Sequence, residues 1–209
     1  MKKTLKVISI LLCAVLTACN KTGATQAPPA QFTLSYADAN VTVRADGDYC
    51  GTGDALAFSC VKNEYEGAQL LLTAETEVTD IELTASDLFC GSDVLAKENF
   101  DVYGENCFSI TEPENADSPY AAGIYPDGLI PMAYWKAAGE NRIPAGQTRG
   151  LWVTVYIPKD TPAGVYTGSF TLTAGGRTQA VPVRVQVYDY TLTDEVTMQT
   201  LFLMRSDYA

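Results

Sequence analysis

The sequence contains no histidine among its 209 residues. Histidine is the usual general base near neutral pH and the commonest metal ligand, so its absence excludes Ser-His and Cys-His catalysis. Any hydrolysis in this chain would have to depend on carboxylates. No two cysteines have the C-x2-4-C spacing of a zinc site, and no glycine-rich nucleotide motif is present. We therefore predict no metal and no cofactor.

Positive charge is also scarce. Residues 1–18 hold three lysines and no acidic residue, so without them 11 Lys and Arg stand against 25 Asp and Glu, a formal net charge of −14. Such a chain is a poor partner for nucleic acid or anionic surfaces. We interpret the acidity as solubility of an exported surface domain. The acidic group Asp46-Gly47-Asp48 with Asp54 lacks the alternating spacing of a calcium loop, so turn formation explains it more simply.

The one strongly apolar run near the start, residues 7–16, follows three lysines and is too short to span a bilayer. This is the layout of a secretory signal. Leu16-Thr17-Ala18-Cys19 resembles a bacterial lipobox, which predicts a signal peptide at 1–18 and lipidation of Cys19. The alternative is ordinary cleavage that leaves Cys19 an unmodified thiol. The polar, proline-bearing residues 19–30 then form a tether, and we expect an extracytoplasmic protein whose lipid anchor is its only contact with the bacterial cell membrane.

Four cysteines remain beyond the signal and Cys19, namely Cys50, Cys60, Cys90 and Cys107. Export permits disulfides, and four cysteines allow three connectivities. Pairing of Cys50 with Cys60 and of Cys90 with Cys107 is preferred, because each pair flanks one expected hairpin or corner. Buried, unpaired thiols are the alternative.

Residues 31–193 are rich in period-two patterns separated by turn residues, and only 132–138 could form a short helical turn. This predicts an all-β fold with little helix, a two-sheet, mainly antiparallel β-sandwich of Ig-like or jelly-roll type. The candidate strands are 32–36, 40–45, 55–62, 67–74, 78–85, 99–104, 106–110, 151–157, 165–174 and 178–188. Gly175-Gly176 predicts a tight hairpin between the last two, and Thr161-Pro162-Ala163-Gly164 predicts a β-turn.

The segment 113–150 has many prolines and glycines and reads as a long irregular loop, which is usually functional or docked on another part of the protein. Its aromatic residues Tyr120, Tyr125, Tyr134 and Trp135 are candidates for stacking on a sugar ring. The alternative is that they pack under the loop or at a protein interface.

The end of the chain, 194–209, reads as a linker followed by a new apolar run, VTMQTLFLM. An unpaired apolar strand is an aggregation liability. It either pairs back on the sandwich or begins a second domain.

Four stretches together resemble the N-terminal β-sandwich of glycoside hydrolase family 123 and related proteins in which such a sandwich precedes a catalytic barrel. They are VKNEYEGAQLLL (61–72), GIYPDGLIP (123–131), LWVTVYIPKDTPAGVYTGSFTL (151–172) and VPVRVQVYDYTL (181–192). The third is the most specific, since strand, proline stop, corner and strand occur in fixed register. The resemblance implies that 194–209 begins a barrel absent from this chain.

The resemblance also implies a parent enzyme that hydrolyses terminal β-linked N-acetylgalactosamine by a substrate-assisted route, with an Asp-Glu pair in the barrel. No residue of this chain inherits a catalytic role. Glu64 and Glu66, which share a strand face beside Tyr65, are expected to be solvated or capping groups rather than an acid/base pair. The alternative function is a stand-alone surface module that binds amino-sugar glycans or acts in adhesion.

Overall fold

The computed structural model describes residues 29–49, 51–112 and 121–195. These residues form two packed sheets, and the predicted all-β sandwich is confirmed. The strands are β1 (Phe32–Asp38), β2 (Leu56–Lys62), β3 (Glu64–Ala74), β4 (Glu82–Thr84), β5 (Leu88–Cys90), β6 (Asp93–Leu95), β7 (Phe100–Ile110), β8 (Gly123–Pro131), β9 (Thr148–Ile157), β10 (Gly164–Ala174) and β11 (Arg177–Thr191). A 3₁₀ turn covers Lys97–Asn99, and helix α1 covers Met132–Ala137, within the predicted helical turn. The described part of the chain contains no helix long and apolar enough to cross a membrane.

The first sheet has the strand order β1-β3-β9-β7-β8, and the second has the order β2-β11-β10-β5-β6, with β4 also paired to β10. Among the described pairs β2 and β11 run parallel, whereas the others are antiparallel. The sandwich is therefore mainly antiparallel, as predicted.

The core lies between the sheets and follows the predicted alternation. On β9 and β11 the inward residues are all buried: Leu151, Val153, Val155, Ile157, Val181, Val183, Val185 and Val187. The residues between them on β11 are mostly exposed. Such strands bury one face in the core and turn the other outward, as a two-sheet sandwich requires.

Two predicted turns are present. Gly175 and Gly176 have φ angles of 55° and 76°, left-handed values that glycine adopts without steric cost, and they join β10 to β11. At the Pro-Ala-Gly corner the hydroxyl of buried Tyr166 donates to the carbonyl oxygen of Pro162 at 2.9 Å. The corner is thus part of the scaffold.

The strand predicted at 40–45 is wrong, since residues 41–44 pair with no strand. Val41 and Val43 alternate because they pack on Leu71, on the outside of the first sheet. Of 78–85 only Glu82–Thr84 is a strand. The strands predicted at 99–104 and 106–110 are one strand, β7, with a register shift between Glu105 and Cys107.

The prediction that 113–150 is irregular is also wrong in its middle. Gly123–Pro131 forms β8 at the edge of the first sheet, and the helix follows directly. Two glycines and two prolines within β8 concealed the strand, and an edge position tolerates them because few ladder hydrogen bonds are lost there. The short strands β5 and β6 were not predicted either.

Candidate interface where the chain leaves the sandwich

The chain is held by hydrogen bonds at the point where it leaves the last strand. Leu192 donates its backbone N–H to the carbonyl oxygen of Lys62 at 2.9 Å. Nδ2 of Asn63 donates to the carbonyl oxygen of Leu192 at 3.0 Å and to Oδ1 of Asp194 at 2.9 Å. The turn between β2 and β3 therefore fixes the direction of the departing chain. We name Lys62, Asn63, Tyr156, Lys159, Asp189, Leu192 and Asp194 the exit cluster.

Asn63 is placed by its backbone. It is the single residue between β2 and β3, with φ of 62°, a left-handed value that asparagine tolerates better than most residues. The hydroxyl of Tyr156 donates to its Oδ1 at 3.0 Å. Next to it, Glu64 Oε2 accepts the backbone N–H of Val61 at 2.7 Å, which is the capping role expected of that carboxylate.

Two ion pairs tie the same end together. Lys62 Nζ lies 2.7 Å from Asp189 Oδ1, and Lys159 pairs with Asp194. The hydrogen bond from each lysine lowers the pKa of its aspartate, and for Asp194 the amide of Asn63 adds to the effect. Because both aspartates are exposed, salt screens these contacts, so they orient the chain more than they stabilise it.

Exposed aromatic rings flank the exit cluster. Tyr65 is 68% exposed and stacks on Tyr156 with ring centroids 4.7 Å apart, on the outer face of the first sheet. Tyr188 and Tyr190 are exposed on the second sheet, since they alternate with inward Val187. Aromatic residues are enriched in the cores of protein interfaces. These rings make this end of the sandwich a candidate interface.

The predicted sugar-contacting residues do not form one surface. Trp135 is 1% exposed and packs on Gly104, where a Cβ would lie 2.1 Å from the indole. Tyr125 is 8% exposed, lies 5.3 Å from the Arg44 guanidinium and donates its hydroxyl to the carbonyl oxygen of Ala121. Only Tyr134, at 70%, presents its ring to solvent, and Tyr120 lies outside the described residues. For Tyr125 and Trp135 the structure supports the alternative of packing beneath the segment.

The preferred disulfide between Cys90 and Cys107 is not formed. Cys60, Cys90 and Cys107 are free thiols, and Cys50 lies outside the described residues. The pairing of Cys90 with Cys107 fails because Cys90 is on β5 of the second sheet and Cys107 is on β7 of the first. Burial, aided by the charges of Glu64 and Glu66, raises the pKa of Cys60 to about 12. A buried thiol with so high a pKa is chemically inert.

Cys19, the signal peptide at 1–18, most of the tether and residues 196–209 also lie outside the described residues. Sequence reasoning assigned no role to Asn63, Tyr156 or Lys159. Their contacts join residues that are 35 to 131 positions apart. The one local signal was Asn63 itself, since an asparagine between two strand patterns indicates a turn.

The two sheets and the exit cluster together define a β-sandwich module that directs its chain onward from one end. The model of the glycoside hydrolase 123 N-terminal domain matches residues 53–174, more than half of the chain. The chain belongs to this family. No curated protein sequence matches it.

One solved structure of the family agrees with the fold. A family 123 glycoside hydrolase from Clostridium perfringens, studied for glycolipid glycan hydrolysis, superposes with a TM-score of 0.62 at 14% identity over 77% of this chain. This chain spans 28% of the length of that one. AvmM, which catalyses macrocyclization in alchivemycin A biosynthesis, is similar at a TM-score of 0.38 and 12% identity, over 78% of this chain and 92% of its own. The sialic-acid-binding region of a Streptococcus sanguinis adhesin has a TM-score of 0.30 and 14% identity, over 73% of this chain and 30% of that one. The TM-scores of these last two structures are too low to indicate a common fold.

Proposed function

We propose that this chain is the non-catalytic N-terminal sandwich of an exported, lipid-anchored glycoside hydrolase, and that its exit end supports the catalytic barrel. The match of residues 53–174 to the N-terminal domain of family 123 is the observation that carries this proposal. A sandwich with a fixed exit direction suits such a role, since it sets the orientation of whatever follows it.

The chemistry of the described residues agrees with a supporting role. Glu64 is engaged with the backbone of Val61, and Glu66 Oε1 accepts from the N–H of Gly67. Both carboxylates therefore accept hydrogen bonds from neighbouring backbone N–H groups. The parent activity we propose is hydrolysis of terminal β-linked N-acetylgalactosamine, with the catalytic Asp-Glu pair supplied by the barrel.

The first test is to read the gene beyond the codon for Ala209 and to assay both forms on an aryl β-N-acetylgalactosaminide. We expect about 250 or more further residues with a barrel pattern. The chain with that region should hydrolyse the substrate, whereas residues 1–209 alone should not. A stop codon at that point, with export of a protein of this size, would refute the hydrolase proposal and leave glycan binding as the function to test.

The lipid anchor needs its own experiment. Mass spectrometry of the exported protein should show a diacylglyceryl-modified Cys19 at the mature N-terminus. Cys19→Ala should abolish the modification and the membrane association together. Cleavage that leaves an unmodified Cys19 thiol would contradict the anchor but not the hydrolase proposal.

A further inference from the structure

A cavity of about 280 Å³ opens on the outer face of the first sheet. Its floor is formed by three side chains from neighbouring strands, Gln69 of β3, Trp152 of β9 and Glu105 of β7. Its walls are residues 41–42 and 126–129. Ligand sites of this kind are concave, largely apolar and lined by a few fixed polar groups.

The most unusual lining residue is Glu105, a buried glutamate that is 4% exposed. The register shift after it turns the carboxyl group toward Gly150, where a Cβ would lie 2.3 Å from Oε2. Burial raises the pKa of Glu105 to about 7, although a hydrogen bond from the Gly150 amide lowers it in part. A glutamate is rarely buried without a cation, because desolvation of the carboxylate is costly.

No cation compensates Glu105 within the cavity. Among the described residues that line it, the other charged group is Asp127 on the rim, and none is Lys or Arg. Outside the lining, burial raises the pKa of the Cys107 thiol, and the charges of Arg149 and Glu105 both act on that thiol in opposite directions. Two carboxyl groups without a counter-ion make the cavity electrostatically suited to a positive group.

The remaining lining groups are preformed. Gln69 donates through Nε2 to the carbonyl oxygens of Asp38 and Val41, both at 2.8 Å, and so holds one wall in place. The Trp152 indole lies over Gly67, where a Cβ would be 2.6 Å from the ring, and it donates to Thr154 Oγ1 at 3.2 Å. An indole and a carboxylate that line the same cavity can together attract an organic cation, and tryptophan is the best aromatic residue for this.

We propose that this cavity binds the cationic head of a small organic ammonium ligand, with Glu105 as its ion-pair partner and Trp152 as its aromatic contact. A neutral, hydroxyl-rich ligand fits the lining less well, because it would leave the buried carboxylate uncompensated. The proposal is independent of the hydrolase function.

The test is calorimetric titration of the full chain with choline and with its uncharged isostere, 3,3-dimethylbutan-1-ol. Choline does not titrate, so any pH dependence of its binding reports on the protein. We expect the isostere to bind at least about tenfold more weakly at pH 8. Choline affinity should fall about tenfold from pH 8 to pH 6, as Glu105 becomes protonated.

Matched variants locate the effect. Glu105→Gln keeps the shape of the side chain and should remove both the affinity for choline at pH 8 and its pH dependence, whereas Glu98→Gln, in the 3₁₀ turn, should change neither. Asp127→Asn on the exposed rim should weaken binding about twofold to threefold, and it tests the site if Glu105→Gln fails to fold. Equal binding of choline and its isostere, no binding of choline, or unchanged binding by a folded Glu105→Gln protein would each overturn the proposal.

Discussion

The two sheets of the sandwich differ in what covers their outer faces. On the second sheet the outer residues of β10, such as Thr167, Ser169 and Thr171, are exposed to solvent. On the first sheet residues 39–49 cross over β3, and Ala37, Val43 and buried Leu71 form a second small core there. The covered sheet also carries the cavity with Glu105, and the bare sheet does not.

This difference explains the sequence patterns. In β10 and β11 buried and exposed residues alternate, because one face meets water. In β3 residues 68–72 are buried without interruption, because both faces are covered. The unbroken run Gln69-Leu70-Leu71-Leu72 is thus the sequence signature of a strand packed on two sides.

The largest effect is expected at Leu71. If residues 39–49 and Leu71 form a true second core, Leu71→Ala should lower the free energy of unfolding by about 2 to 5 kcal/mol, as for a buried leucine elsewhere. Urea unfolding followed by tryptophan fluorescence measures this. A loss below about 1 kcal/mol would mean that residues 39–49 lie on the sheet without stabilising it.

Glu105 should make the covered face sensitive to pH. Its pKa is raised on folding from 4.5 to about 7, so the folded state binds the proton more tightly, and stability is greatest at low pH and falls as pH rises through this range. Above pH 7 the ionised Glu105 lowers the free energy of unfolding by about 3 kcal/mol. The free energy of unfolding of Glu105→Gln, relative to that of wild type, should therefore rise by about 3 kcal/mol as the pH goes from 4 to 8. A difference that does not vary with pH would show that Glu105 keeps its ordinary pKa in the fold.

The exit cluster should give an intermediate effect. Asn63→Ala should lower the free energy of unfolding by about 1 to 3 kcal/mol. It removes the hydrogen bonds to Leu192, Asp194 and Tyr156 and places alanine at a positive φ. Asn63→Gly separates the two causes, since glycine keeps the backbone angle without strain. If Asn63→Gly is as stable as wild type, the side-chain contacts contribute nothing to the fold.

The smallest effect is expected on the bare face. Thr171→Ala removes an exposed side chain from β10 and should change stability by less than about 0.5 kcal/mol. It is the counterpart of Leu71→Ala on the other sheet, measured under the same conditions. A loss comparable to that at Leu71 would indicate that a partner or a second copy covers this face in solution.

Prediction from sequence succeeded for strands with one solvent-facing side and for the turn that glycines form between two of them. Strands β9 to β11, the Gly175-Gly176 hairpin and the short helix all follow from local patterns. It failed at 40–45, where alternating valines pack without pairing, and at β8, where glycine and proline concealed an edge strand. It assigned no role to Glu105, because nothing in the local sequence reveals that a carboxyl group will be buried.

The sequence by itself determined the sandwich class and the turns, since period-two hydrophobicity and left-handed glycines act over a few residues. The family followed from the resemblance of four stretches to family 123. Only the tertiary structure decided which aromatic rings are buried, which face of the first sheet is covered, and how Asn63 holds a segment 131 positions away. These outcomes depend on contacts between distant segments, and the energy of such a contact exists only once both segments are in place.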